Sequence, residues 1–214
     1  MSYTIHKLTY ADGRAYRYHI SDEAGNLRYV AERTGMLLPS PTRLVEFFDP
    51  DHNPSGRLQP PEVAPWLRGK RYEVFVNKGG EEAEEPYAVI KETWRLVDIL
   101  LLRLPRYEVQ LGEHCYIVRG SRYGEHFYEI FRPCEEEEGI DEERVDEKME
   151  QGEDEQAEAG EGEEEPEPKE MKVGQIQRPT VGPSYTVESD AAPLRQALLV
   201  LAALVILIDM ELHP

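Results

Sequence analysis

Residues Ala197 to Ile208, "ALLVLAALVILI", run for twelve positions without a polar side chain, between Arg195-Gln196 on one side and Asp209 on the other. As a helix this run reaches about 18 Å at 1.5 Å per residue, against a bilayer core of about 30 Å. It is too short to span, and tilting enlarges a mismatch of this sign. A helix that is apolar on every face must be enclosed by lipid or by protein, and its length leaves protein. Pro193 suits a first helical turn and Asp190 or Ser189 suits a cap, so the helix is predicted from about Pro193 to about Leu212.

The enclosure is predicted to be a sheet. From Tyr3 to Arg132 short runs rich in Tyr, Val, Ile and Phe alternate with Gly, Pro, Asn and Asp clusters, the punctuation of an all-β chain. "YTIHKLTYADGRAYRYHI" places Asp12-Gly13 between two such runs, a type I′ hairpin signal because both turn positions need positive φ. "SDEAGN" turns the second run into "LRYVAE", and "TRLVEFFDPDHNPSGRL" reads as strand, loop and strand. The runs "KRYEVFV", "YAVIKETW", "RLVDILLLRL", "RYEVQL", "HCYIVRG" and "HFYEIFRP" follow, and "KVGQIQRP" with "SYTVES" makes a last hairpin before the helix. This gives roughly ten to twelve strands. A barrel of about twelve leaves room for a helix about 10 Å across and removes exposed edges. The expected fold is therefore mainly β: a closed antiparallel barrel around a buried apolar C-terminal helix.

The net charge of −19 is unevenly placed. Residues 135–170 hold 20 acidic residues against three basic ones, and the rest of the chain is nearly neutral. That stretch has no aromatic residue and dense Glu, so it cannot bury enough surface to offset ordering and is read as a disordered acidic insertion. Residues 1–134 and 171–214 are then one domain. The insertion opposes nucleic acid and anionic lipid, and at low salt it would attract a basic partner or cover a basic patch of its own chain. Cys115 and Cys134 form no C-x-x-C pair, so neither a disulfide framework nor a zinc knuckle is indicated. The start, "MSYTIHKLTYADG", has no basic region followed by an apolar core, so no secretory signal is read; with the few cysteines and the short apolar run, a cytoplasmic protein without a transmembrane span is expected.

With "YRYHISDEAGNLRYVAE" near the start, "VGQIQRP" and "SYTVES" late in the chain, and "LLVLAALVILIDMEL" with Asp209 closing the helix, the sequence resembles the tubby-like superfamily. That group includes the plant LURP-one-related proteins and the phospholipid scramblases. The resemblance covers nearly the whole chain apart from the insertion, and its motifs are structural. It implies a twelve-stranded barrel threaded by an apolar helix, and two activities: phosphoinositide binding on a basic face, and calcium-dependent lipid scrambling. The first needs clustered bases on phosphate oxygens. The candidates are Arg68, Lys70 and Arg71 in "RGKR" and Arg119 and Arg122 in "RGSR", beside the plainer reading of solvated loop and strand-end charges. For the second, the insertion lacks a D-x-[DN]-x-[DN]-G calcium loop, and the Pro-rich extension and acylatable cysteines of scramblases are missing.

Catalytic signals are weak. His114 and Cys115 are strand neighbours and point to opposite faces, His126 and Cys134 are a remote pairing, and the six histidines show no H-x-x-x-H or H-E-x-x-H spacing. Tyr3, Tyr10, Tyr16, Tyr18 and Tyr29 fall at strand spacing and suit barrel packing. The preferred reading is a non-enzymatic binding or scaffold module with no cofactor and no metal, whose protein or lipid ligand the residues do not name. A peripheral phospholipid or phosphoinositide binder at the membrane is the alternative, and an enzyme with a pocket at the barrel mouth the second.

Overall fold

The computed structural model describes residues 1–9, 15–34, 44–60, 70–77, 81–93, 105–120, 127–133, 170–178 and 182–212. Twelve strands run in chain order: β1 (Ser2–Thr9), β2 (Ala15–Asp22), β3 (Leu27–Arg33), β4 (Val45–Phe48), β5 (Pro54–Gln59), β6 (Arg71–Val76), β7 (Ala88–Thr93), β8 (Arg106–Leu111), β9 (His114–Gly120), β10 (Phe127–Pro133), β11 (Glu170–Gln177) and β12 (Ser184–Ser189). Each pairs antiparallel with its sequence neighbours, and β1 pairs with β12 from Ser2↔Glu188 to His6↔Ser184, so the meander closes on itself. Closure leaves no edge strand among the described residues to recruit another chain.

Alternation decides which residues face inward. Tyr3, Ile5 and Lys7 of β1, Ala88, Ile90 and Glu92 of β7, and Tyr107, Val109 and Leu111 of β8 are buried while their neighbours are not. Down the axis runs α2 (Leu198–Leu212), preceded by the single turn α1 (Ala192–Gln196). Every residue of α2 from Leu198 to Met210 is buried, Asp209 included. The helix is the hydrophobic core of the barrel. Between it and the wall, the space lined by Val109, Tyr116, Val118, Ile130, Val200 and Leu204 does not admit a water molecule.

The helix departs from expectation at its start. Ala191 occupies the cap position without a side-chain cap bond; Ser189 Oγ and the Asp190 amide instead donate to the Val173 carbonyl in β11, at 3.3 and 2.8 Å. The single helix predicted from about 193 is broken at Ala197, whose φ of −98° and ψ of 50° separate α1 from α2. The break falls at the rim. It leaves Arg195 and Gln196 in water, while every residue from Ala197 to Met210 is enclosed. Tyr3 donates its hydroxyl to the Arg195 carbonyl at 3.1 Å and ties this turn to β1.

Two five-residue hairpin loops lie at this same rim and share one conformation. In "DEAGN" the Asp22 carboxylate accepts the Ala24 and Asn26 amides at 3.0 and 2.9 Å; in "DPDHN" Asp49 accepts those of Asp51 and Asn53 at 2.9 and 2.8 Å. These bonds, led by Asn26 for Asp22 and by the Asn53 side chain for Asp49, hold both carboxyls below their usual range. The left-handed position is Gly25 in one (φ 82°) and His52 in the other (φ 64°). Gly174 serves another need, beside the bulge that offsets β10 from β11: a Cβ there would stand 2.5 Å from the Glu188 carbonyl oxygen.

The strand readings that fall on described residues correspond to β1–β12. The Asp12-Gly13 turn, "RLVDILLLRL" and Tyr10 lie outside the described residues, although β1 and β2 pair as the turn requires. The insertion lies outside them also, except that Glu170, assigned to it, is the first residue of β11 and pairs with Pro133. Cys115 is half-buried, with its thiol pKa pushed up first by burial and then by Glu108.

Candidate functional site

At the far rim, where α2 ends, the inner wall changes from apolar to polar. The alternation that buries Ile5 also buries Lys7, and the one that buries Ile90 also buries Glu92. With Tyr18, Tyr107, Tyr128 and Tyr185 they form a collar around Asp209 and Glu211 of the helix.

One arc of the collar is saturated. Asp209 Oδ1 accepts the Lys7 ammonium at 3.0 Å and the Tyr185 hydroxyl at 2.7 Å, and Oδ2 accepts the Tyr18 hydroxyl at 2.9 Å. Lys7 and Asp209 are only 6% and 2% exposed. Burial of an ion pair is tolerated where opposite charges meet with additional hydrogen bonds, as here. Burial first, and then the adjacent Asp209 charge, holds the Tyr18 and Tyr185 phenols well above their ordinary pKa.

The opposite arc is arranged differently. Lys70, just before β6, reaches Glu211 Oε1 at 3.2 Å and Glu92 Oε2 at 3.7 Å. Glu92 sits across the β7–β8 ladder from Tyr107, and the Tyr107 and Tyr128 rings lie 6.2 Å apart at 50°. Burial is the main cause that raises both phenol pKa values; Tyr128, Glu92 and Glu211 then act on Tyr107, and Glu211 and Glu92 on Tyr128. Among the described residues, the hydroxyls of Tyr107 and Tyr128 are buried without a hydrogen-bond partner, as is that of Tyr116 nearer the other rim.

The basic candidates are dispersed. Lys70 turns inward to the collar, whereas its neighbour Arg71 turns outward and pairs with Glu73 at 3.5 Å. Arg119 lies on the outer wall over the Phe131 ring, 4.2 Å from its centroid, and pairs with Glu170 at 3.0 Å. Arg71 and Arg119 stand three strands apart, about 14 Å along the wall at about 4.8 Å per strand, too far to share one phosphate. Arg68, Arg122, His126 and Cys134 lie outside the described residues. His114 and Cys115 face opposite sides of β9, as alternation requires.

A concavity of about 460 Å³ opens at the rim where the helix enters, lined by Met1, Glu23, Lys172, Gln175, Glu188 and Asp190 among others. Three of its polar side chains already have partners. Gln175 donates to Glu188 at 2.8 Å, and Lys172 to Glu129 at 2.8 Å.

Among the described residues no helix is long and apolar enough to cross a membrane, and no three His, Cys, Asp or Glu side chains converge as metal ligands. No protein-family model matches the chain, and no curated protein matches it. A crystal structure of an Arabidopsis thaliana protein aligns over 98% of this chain and 91% of its own, with a TM-score of 0.48 and 14% identity.

Proposed function

We propose that this chain is a non-enzymatic binding or scaffold module of the tubby-like barrel type, cytoplasmic, meeting its partner on the outer wall or at a rim. The observation that carries this reading is that, among the described residues, the helix fills the barrel axis. Barrels that store a small ligand hold it in a cavity, whereas α2 occupies the axis and leaves no water-sized space against the wall lined by Val109, Tyr116 and Leu204. The type is supported by the β1–β12 closure, the apolar helix on the axis and the Asp209 carboxylate at its end.

Organic extraction of the purified protein followed by mass spectrometry tests the filled interior, and flotation with vesicles containing anionic phospholipid or phosphoinositide tests the outer wall. No stoichiometric lipid in the extract is expected, and no flotation by the full chain or by a variant lacking residues 135–169. Stoichiometric extracted lipid would overturn the filled-barrel premise. Flotation that appears on removing the insertion would replace the scaffold reading with a peripheral lipid binder held in check by its own polyanion.

A further inference from the structure

We propose that the unsaturated arc of the far-rim collar is a hydration site, in which ordered water bridges the Tyr107 and Tyr128 hydroxyls to the carboxylates of Glu92 and Glu211. The two phenols are 0% and 2% exposed, and their hydroxyls have no hydrogen-bond partner among the described residues. Buried polar atoms in folded proteins are almost always satisfied, by protein or by internal water. The same barrel shows what saturation by protein looks like, since Tyr18 and Tyr185 at the same level both donate to Asp209.

The surroundings select the occupant. Glu92 is the cross-strand partner of Tyr107, the Tyr107 and Tyr128 rings lie 6.2 Å apart, and Lys70 reaches Glu211 at 3.2 Å and Glu92 at 3.7 Å, so both carboxylates belong to the same arc as the two phenols. The residue paired with Tyr128 on β9 is Gly120, which contributes no side chain to the layer. A guest there must accept from phenol O–H groups and donate to carboxylate oxygens, which a water molecule does with its two donors and two acceptors. An anion would meet two carboxylates. The Lys70 ammonium between Glu211 and Glu92 anchors the triad to which the water would bond.

Tyr116 supplies the internal comparison. Its hydroxyl is equally without a partner, but its ring lines the apolar space that admits no water. Tyr107→Phe and Tyr128→Phe are expected each to lower Tm by about 2–4 °C, because each strips a hydrogen bond from a bound water. Tyr116→Phe removes only an orphaned hydroxyl and is expected not to lower it. In parallel, oxygen-17 relaxation dispersion of the full chain should detect long-lived internal water that is lost in the Tyr107→Phe/Tyr128→Phe double variant, and a high-resolution crystal structure should place it within hydrogen-bond reach of both hydroxyls. Unchanged or raised Tm in both single variants, or a crystal structure in which both hydroxyls bond directly to protein groups, would overturn the assignment.

Discussion

Asp209→Asn separates the charge at the centre of the saturated arc from its shape. The amide keeps the size of the carboxylate, and its oxygen can still accept from Lys7 and Tyr185, while the Tyr18 hydroxyl can rotate to accept from the new NH2. What disappears is the negative charge 3.0 Å from an ammonium that is 6% exposed. At an effective dielectric constant of about 20, the gross attraction across that distance is about 5–6 kcal/mol, most of it offset in the native protein by the desolvation of both ions. Removing one partner leaves the desolvation of Lys7 uncompensated, and such losses run to about 3–5 kcal/mol. Urea unfolding should show a midpoint reduced by that amount at unchanged slope, and Tm should fall by about 6–20 °C. Lys7→Met alone should cost a similar amount, because it strands Asp209 with two phenol donors. The double variant should be less destabilised than the sum of the singles, since it strands no charge. An Asp209→Asn loss below about 1 kcal/mol, or strict additivity in the cycle, would refute the ion pair as what stabilises the saturated arc.

Two further outcomes follow from the described geometry. Gly25→Ala should cost about 1–2 kcal/mol in thermal unfolding and Gly25→Asn less, because a Cβ at Gly25 meets nothing within 4 Å and only the left-handed backbone, with φ at 82°, resists it; equal Tm for Gly25→Ala and the native chain would contradict the shared loop conformation. Tyr18, Tyr107, Tyr128 and Tyr185 all have folded pKa values above the ordinary 10.0, so above about pH 10 the unfolded chain loses protons that the folded one keeps. Stability should be intact below that pH and fall by about 1.4 kcal/mol per pH unit for each tyrosine as pH rises toward the folded values, and urea midpoints that stay flat across this range would refute the burial of the phenols.

The strands were legible because a wall with one buried face writes period two into its residues, as in "RYEVQL" and "SYTVES". The helix was legible because burial on every side leaves no polar stripe. The collar was missed although its signal was present: Lys7 follows Tyr3 and Ile5, and Glu92 follows Ala88 and Ile90, at the same spacing of two, so a charge in phase with a buried face marks an inward ion. The same rule separates Lys70 from Arg71, which adjacency had grouped as one basic patch. Other features depend on partners distant in sequence. Ser189 and Asp190 read as helix caps locally, but the Val173 carbonyl, brought beside them by the β11–β12 pairing, takes their donors. Arg119 reads as a free strand-end base until the β10–β11 pairing presents Glu170.

The single charge buried on α2 has a geometric use that its energy alone does not explain. Apolar contacts are non-directional, so a helix apolar all round, inside a wall of Val, Ile, Leu and Tyr, gains similar burial at several depths and rotations. Sliding by one turn would move Asp209 about 5.4 Å from Lys7, Tyr18 and Tyr185 and leave an ammonium and a carboxylate buried apart. The three donors come from β1, β2 and β12, two of which form the seam that closes the barrel. One carboxylate therefore sets the depth of the helix, fixes its rotation and bridges the closing strands. Met1 and Ser189 meet across the other end of that seam, through a 3.3 Å amide bond to the Met1 carbonyl. Closure and plugging thus depend on each other, because the helix has no water-compatible face outside the barrel and, among the described residues, Lys7–Asp209 is the ion pair that joins a seam strand to the helix.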